Sequence, residues 1–418
     1  MVAFTRQRST PYFEMPPSPS PTLVVLSHLR WDFVYQRPQH LLSRLGARRP
    51  VLFVEEPIHD PEATTPWVER RVAAPGVEVI RPHTALAEPG FSDAQLATMA
   101  DLMPEILGDH ASAERICWLY TPLALPLVDA IDPSTLVYDC MDELSAFRFA
   151  PPALLQREAE LLRRADLVLT GGPSLYEARK DRHPNVHCFP SSVDAKHFAP
   201  RPIPADDAAA RSARSLHAPT RPPRFGFFGV IDERMDLELI AAVADRFPEA
   251  HVAMVGPVVK IDPAALPQRP NLHWLGQQPY EVLPRLVADW QVCLMPFALN
   301  ESTRFISPTK TLEYLAAGKP VVSTAVHDVE VLYGDVVRIG HDHAEFLDGC
   351  AAALAETLDE RRAGQRAGEA AVKRSSWDET ARRIGDEIDA CRIATGDRSA
   401  VASGHGAPTL ARSTARIA

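Results

Sequence analysis

The chain has 418 residues, too many for one ordinary hydrophobic core and enough for two domains of roughly 150 to 200 residues each. With 46% hydrophobic and 23% charged residues it has the composition of a soluble globular protein, and no run of about 18 apolar residues is present to span a membrane. A formal net charge of −10 argues against a nucleic-acid partner held through its phosphates.

Residues 1–21 are rich in Pro and Ser and lack the apolar core of a signal peptide, so they read as a disordered tail on a chain that is not exported. Thr22 to His28 then reads as a buried strand, followed by a loop through Trp31 and Asp32 and a helix from about Gln36 to Arg48. Arg37, Arg44, Arg48 and Arg49 cluster around that helix, either as a solvated face or as a peripheral contact with the inner face of a membrane. Apolar runs at 51–55, 77–81, 116–120, 136–141, 167–170 and 186–190 read as further strands, with helical spacing of leucines at 93–107 and 153–164. Apolar strands alternating with helices predict a parallel sheet covered on both faces, so residues 22–199 read as a doubly wound, Rossmann-like domain.

Residues 200–223, rich in Pro, Ala, Asp and Arg, read as a linker. The pattern then restarts. Arg224 to Phe228 reads as a strand ending at a turn on Gly229, a helix runs from about Leu237 to Arg246, and strands follow at 251–256, 271–275, 292–296 and 320–324. Residues 224–375 are thus a second α/β domain, residues 376–393 an amphipathic helix and residues 394–418 a second disordered tail. Six cysteines without a Cys-x-x-Cys pair read as reduced residues of a cytoplasmic protein.

Ser307-Pro-Thr-Lys-Thr-Leu-Glu-Tyr-Leu-Ala-Ala-Gly-Lys-Pro320 reads as a short helix aimed at an anion. Ser307 suits the N-cap, Pro308 the first helical position and Gly318 a left-handed end, after which Val321 to Thr324 opens a strand. The amides of Thr309 and Lys310 would point at a phosphate, and Glu313 lies one turn deeper on the same face, beside a ribose. A well-capped surface helix carrying a Lys310–Glu313 pair is the other reading of the same residues.

The segment 307–324, a Glu followed by a small-residue turn and a Gly-x-Pro-Val-Val strand, resembles the donor-binding helix of retaining glycosyltransferases with the GT-B fold, especially those of bacterial polysaccharide and glycolipid synthesis. Asp166 to Ser174 and Phe189 to Phe198 resemble two further landmarks of that family. The resemblance implies two Rossmann-like domains facing across a cleft, with the helix at 376–393 crossing back to the first. It implies transfer of a sugar from a nucleoside diphosphate donor, UDP-linked by preference, to a hydroxyl of a saccharide or lipid-linked acceptor, with retention and without a metal ion. Exopolysaccharide, teichuronic-acid-like and glycolipid assembly are the settings it suggests. No cofactor beyond the donor is expected, and no metal site is evident, because no Asp-x-Asp stands at a strand end.

Carried over residue by residue, the resemblance places Gly229 at the donor turn, Arg234 and Lys310 on the diphosphate, Ser307, Thr309 and Glu313 on the nucleotide, and His28 and Asp142 toward sugar and acceptor. Asp142 stands where the family usually has a catalytic His. The family also carries a Glu eight positions before Glu313, and here that residue is Phe305, so Glu301 or Asn300 is expected to serve instead. Plain structural readings stand beside these: Arg234 paired with Asp232 or Glu233, Asp142 capping a helix, His28 as a structural residue. A sugar-nucleotide epimerase and a non-catalytic nucleotide-sugar-binding scaffold remain rival functions, and the oligomeric state is open.

Overall fold

Two parallel sheets follow from the two sets of apolar strands, in a computed structural model that describes residues 20–403 apart from 203, 205 and 219. In the first domain the strands are β1 (Thr22–Ser27), β2 (Val51–Glu55), β3 (Ile58–His59), β4 (Trp67–Ala74), β5 (Val77–Thr84), β6 (Arg115–Leu119), β7 (Thr135–Cys140), β8 (Leu167–Thr170) and β9 (Val186–Cys188). Their order is β3-β5-β2-β1-β6-β7-β8-β9, with β4 antiparallel on β5. β4 escapes a sequence reading because Trp-Val-Glu-Arg-Arg-Val lies largely on the surface and shows no apolar run. The β4–β5 turn needs a glycine: Gly76 has φ +73, and a Cβ there would fall 2.0 Å from the Gly46 carbonyl oxygen.

The second domain adds β10 (Arg224–Phe228), β11 (His251–Val255), β12 (Leu272–Trp274), β13 (Val292–Met295), β14 (Val321–Thr324) and β15 (Arg338–Gly340). Their order, β12-β11-β10-β13-β14-β15, is all parallel and reverses direction between β10 and β13, the doubly wound order 3-2-1-4-5-6. The first sheet reverses between β1 and β6. Loops at the carboxyl ends of strands beside these reversals are where such sheets hold ligands.

The helix Trp377–Ser403 returns to the first domain, where Trp377, Ala381, Ile384 and Ile388 join the core formed by Leu41, Leu45 and Phe53. Their spacing of three and four residues makes one apolar stripe. This helix continues through 394–403, where the sequence reading ends it at 393; the remaining tail residues 404–418, and 1–19 at the other end, lie outside the described residues. The stretch read as a linker also holds a helix, Ala208–His217, capped by Asp207 and packed through Ala210, Ala213 and His217. Its Pro-rich flanks hide that spacing in the sequence.

The basic cluster of the first helix (Arg37–Gly46) and the turn after it is not a common surface. Arg37 is 2% exposed and binds Asp139 through Nε and Nη2, both at 3.0 Å, while its Nη1 donates to the Phe189 carbonyl at 2.7 Å. Arg49 and Arg44 pair with Asp389 and Asp378 of the returning helix, which leaves Arg48 as the exposed one of the four. Among the described residues no helix is long and apolar enough to cross a membrane.

The domains also meet directly. Asp328 of the second domain accepts a hydrogen bond at 2.9 Å from the Ser174 amide, at the start of the first-domain helix Pro173–Arg179. Thr380 bonds Ser192 at 2.8 Å.

Breaking a buried ion pair from one side strands the other charge. Asp139→Leu is therefore expected to lower stability by about 3 to 5 kcal/mol in chemical denaturation, and adding Arg37→Met to it to recover most of that loss.

Candidate functional site

The loops at the carboxyl ends of the two sheets enclose a cleft. On the first-domain side it is lined by Trp31 to Tyr35 after β1, and on the second-domain side by Gly229 after β10, Gly256 after β11, Gln277 to Glu281 after β12, and Thr309, Lys310 and Glu313. Together they bound a cavity of ≈ 280 Å³. A second cavity of ≈ 120 Å³ lies between Arg37, Asp142, Gly171 and Ser191 of the first domain and Arg234 and Ser307 to Lys310 of the second. The two share Val34, Val230, Thr309 and Lys310, so Lys310 stands at their junction.

The helix expected within 307–320 spans Lys310–Ala316, starting later than Ser307 and Pro308 suggest. Thr309 is its N-cap, already in helical conformation and without a side-chain cap, so Ser307 lines the smaller cavity and caps nothing. Thr311 donates to the Pro308 carbonyl at 3.4 Å and Glu313 to Thr309 at 3.2 Å, whereas the amides of Thr309 and Lys310 have no acceptor among the described residues. The opposite face is tied to the sheet: the Tyr314 hydroxyl accepts from the Phe228 amide at 2.9 Å, and the Thr311 hydroxyl donates to Met295 Sδ. That anchoring turns Lys310 and Glu313 into the cleft.

Glu313 is 6% exposed and its Oε2 has no hydrogen-bond partner. Burial pushes its carboxyl up to about 7, with the Lys310 charge pulling the other way. Burial likewise lowers the Lys310 ammonium, opposed by Glu313. The two form no ion pair within 4.0 Å, so the surface-pair reading fails on both exposure and distance.

Gly229 and Gly256 are required by close approach. Gly229 has φ +152, and a Cβ on it would lie 2.6 Å from Lys310 Cε. Gly256 has φ +150, and a Cβ there would lie 1.7 Å from the Gly229 carbonyl oxygen. Larger side chains would fill the floor of the cleft and separate its loops.

Of the other sequence candidates, Asp142 lines the smaller cavity and caps no helix; the following turn Leu144–Ala146 starts at Glu143 without a side-chain cap. Burial pushes Asp142 up to about 6, with Arg234 as the largest opposing charge. Arg234 lines the same cavity, but Asp232 holds its guanidinium through contacts of 2.7 to 3.1 Å, and the Phe147 ring of the first domain lies 5.6 Å away. His28 is outside both cavities; burial first and Lys260 second hold it down to about 4, so it is neutral, and its Nδ1 has no partner.

Glu301 is a correction. It is exposed, 3.7 Å from Arg304, and lines neither cavity. Asn300 turns its Oδ1 back onto Ser302, at 2.9 Å from the amide and 2.6 Å from the hydroxyl. Phe305 packs against the core of the first domain, so the residue that replaces the expected Glu fastens the two domains. Cleft residues that escape the sequence reading include Tyr35, Tyr280, Ser191 and Arg37. Gln-Gln-Pro-Tyr280 directly after a predicted strand was the available signal; Arg37 carried none, because its partner is 102 residues away.

With this geometry in place, residues 222–360 match the family described as glycosyl transferases group 1. The chain is 23% identical over 282 residues, 63% of its length and 69% of the other, to a protein of Bacillus subtilis (strain 168) whose name assigns it to teichuronic acid biosynthesis as the glycosyltransferase TuaH. Among solved structures, Anabaena HepE in complex with UDP-glucose superposes with a TM-score of 0.65 at 15% identity, over 88% of this chain and 99% of that one. Sucrose-phosphate synthase from Thermosynechococcus elongatus gives 0.63 at 17% identity, over 92% and 100%. The chain has the GT-B fold, and its residues 222–360 are similar to group 1 glycosyltransferases, in line with what the resemblance of 307–324 implies.

The raised Glu313 carboxyl fixes the sign of a pH effect. The folded state holds the proton more tightly than the unfolded one between 4.5 and about 7, so stability falls as pH rises through that window and stays lowered above it, by about 3 kcal/mol. In the ligand-free protein Glu313→Gln is expected to raise the melting temperature relative to wild type at pH 8 and to change it little at pH 4.5.

Proposed function

We propose that the chain transfers a glycosyl group from a UDP-linked sugar to a hydroxyl of a saccharide or lipid-linked acceptor in polysaccharide or glycolipid assembly. The observation that carries this reading is Glu313: a carboxylate buried without a partner in the wall of the larger cavity, one turn inside a helix whose first amides are also free and whose Lys310 stands at the junction of the two cavities. A neutral or apolar ligand would leave that desolvated acceptor unsatisfied; a ribose hydroxyl satisfies it, and a diphosphate satisfies the amides and Lys310. HepE has been solved with UDP-glucose, and the B. subtilis relative's name places it in teichuronic acid synthesis, which supports both the donor class and the setting.

The nucleoside occupies the larger cavity, the diphosphate meets Lys310 and the amides of Thr309 and Lys310, and the sugar and acceptor share the smaller cavity with Asp142. The bond from the anomeric carbon to the diphosphate oxygen breaks, the acceptor oxygen bonds that carbon on the same face, and the acceptor proton passes to the departing diphosphate. Retention follows from the family resemblance. The developing diphosphate charge is met by Lys310, the helix amides and the Arg234–Asp232 pair, so no divalent cation or other cofactor is needed. Asp142 orients a sugar or acceptor hydroxyl.

An epimerase on this fold needs several acid and base groups around the sugar. The smaller cavity offers one carboxylate, Asp142, and no imidazole, which favours transfer. A cytoplasmic location is part of the same reading and is supported by six free cysteines, four of them buried.

Three measurements test these assignments. Glu313→Gln is expected to weaken UDP binding by about 1.5 to 3 kcal/mol, the range for a hydrogen bond to a charged group, and unchanged affinity would remove the ribose assignment. Turnover with a panel of UDP, GDP and ADP sugars is expected to survive excess chelator; loss on chelation with recovery on adding magnesium or manganese contradicts the charge assignment. Asp142→Asn is expected to cut turnover about 100-fold with UDP affinity and melting temperature intact, whereas a lower melting temperature at unchanged turnover per folded molecule makes Asp142 structural.

A further inference from the structure

We infer that the hydroxyl of Tyr280 is a second fixed contact of the donor ribose, taking the diol oxygen that Glu313 leaves, and that this pair makes the site select ribonucleoside over deoxyribonucleoside diphosphates. The inference rests on the donor reading above and goes beyond it in naming a residue and the selectivity it confers.

Tyr280 begins the turn Tyr280–Val282 beyond β12 and lines the larger cavity with Glu313. Its ring cannot swing. The His197 imidazole stacks on it at 4.1 Å and 6°, and the Tyr35 ring of the first domain at 4.7 Å and 24°. Phe198 meets it edge-on at 5.8 Å, and the Tyr280 carbonyl oxygen lies 3.0 Å from His197 Nε2. A ring held this way points its hydroxyl in one direction, yet Tyr280 Oη is buried and bonds nothing.

Two residues that line the cavity therefore each carry a buried polar atom without a partner, Tyr280 Oη and Glu313 Oε2, and these do not bond each other. A phenol hydrogen-bonded to a carboxylate would satisfy both at once, so an inserted hydroxylated group is what can satisfy the two. Their chemistries are complementary to a vicinal diol. A carboxylate only accepts, so it takes one hydroxyl proton; a phenol donates as well as accepts, so it serves the second oxygen. Burial, and then the neighbouring Glu313 charge, push the Tyr280 phenol well above its ordinary value, which keeps its proton in place. A site built to hydrogen-bond a hydroxyl rejects the analogue that lacks it, because the protein groups are then left unpaired.

The test is calorimetric titration of the full chain with UDP, 2′-deoxy-UDP and 3′-deoxy-UDP, for wild type and for Tyr280→Phe. The substitution keeps the stacked ring and removes an oxygen that bonds nothing in the empty protein, so an unchanged melting temperature is the check on folding. Wild type is expected to bind UDP at least tenfold more tightly than either deoxy analogue. Tyr280→Phe is expected to lose about tenfold for UDP, and to bind UDP and one of the deoxy analogues equally while still rejecting the other. Wild-type affinity and wild-type discrimination in Tyr280→Phe overturn the inference and leave the donor reading standing. Failure of wild type to bind UDP at all removes the donor reading, and this inference with it.

Discussion

Closing two sheet edges on each other forces charged groups out of water, and the cost falls hardest on Glu313. An exposed carboxylate keeps its full hydration; Glu313 is buried and its Oε2 has no partner among the described residues, and its proton affinity rises accordingly. Much else in the cleft follows from that constraint. Lys310 sits close enough to pull the Glu313 carboxyl down but makes no ion pair with it, and Gly229 and Gly256 leave room for a ligand that brings its own polar groups. A cleft that carries this much unsatisfied polarity is less stable empty than full, and ligand binding supplies the missing bonds.

The same closure is held by contacts that have no part in chemistry. Rings run in a column from Trp377 of the returning helix, stacked on His40 at 4.8 Å, to Tyr35, which meets His40 edge-on, then to Tyr280 and His197, both stacked. It joins the returning helix, the first domain and the second domain. Burial holds His40 down to about 3, so that ring stays neutral in the physiological range. Phe305 adds a separate fastening, from the loop after β13 to the first-domain core. Where related enzymes place a carboxylate near the sugar, this chain has used the position for packing, and the carboxylate that does reach the smaller cavity, Asp142, comes from the opposite domain.

Arg234 is a cation expected in the cleft whose charge is already met. It reaches the smaller cavity from the turn after β10, but Asp232 neutralises it, so what faces that cavity is a half-buried ion pair. Lys310 is then the cation at the junction without a carboxylate in contact, and burial lowers its proton affinity against the pull of Glu313.

The sequence by itself determined the two doubly wound domains, because a buried parallel sheet demands unbroken apolar strands at regular intervals, and those are visible one strand at a time. It also determined the helix Lys310–Ala316, though not its first residue, since Lys310, Glu313 and Gly318 act within one stretch of chain. The strand Trp67–Ala74 and the helix Ala208–His217 were not legible, because one lies largely on the surface and the other hides its spacing between prolines. Only the tertiary structure decided the rest of the site. Whether Arg37 was a surface cation depended on Asp139, whether Glu301 reached the sugar depended on the path of an exposed loop, and whether Tyr280 faced a ligand depended on rings contributed by both domains. Such contacts join residues far apart in the chain, and no local propensity records them.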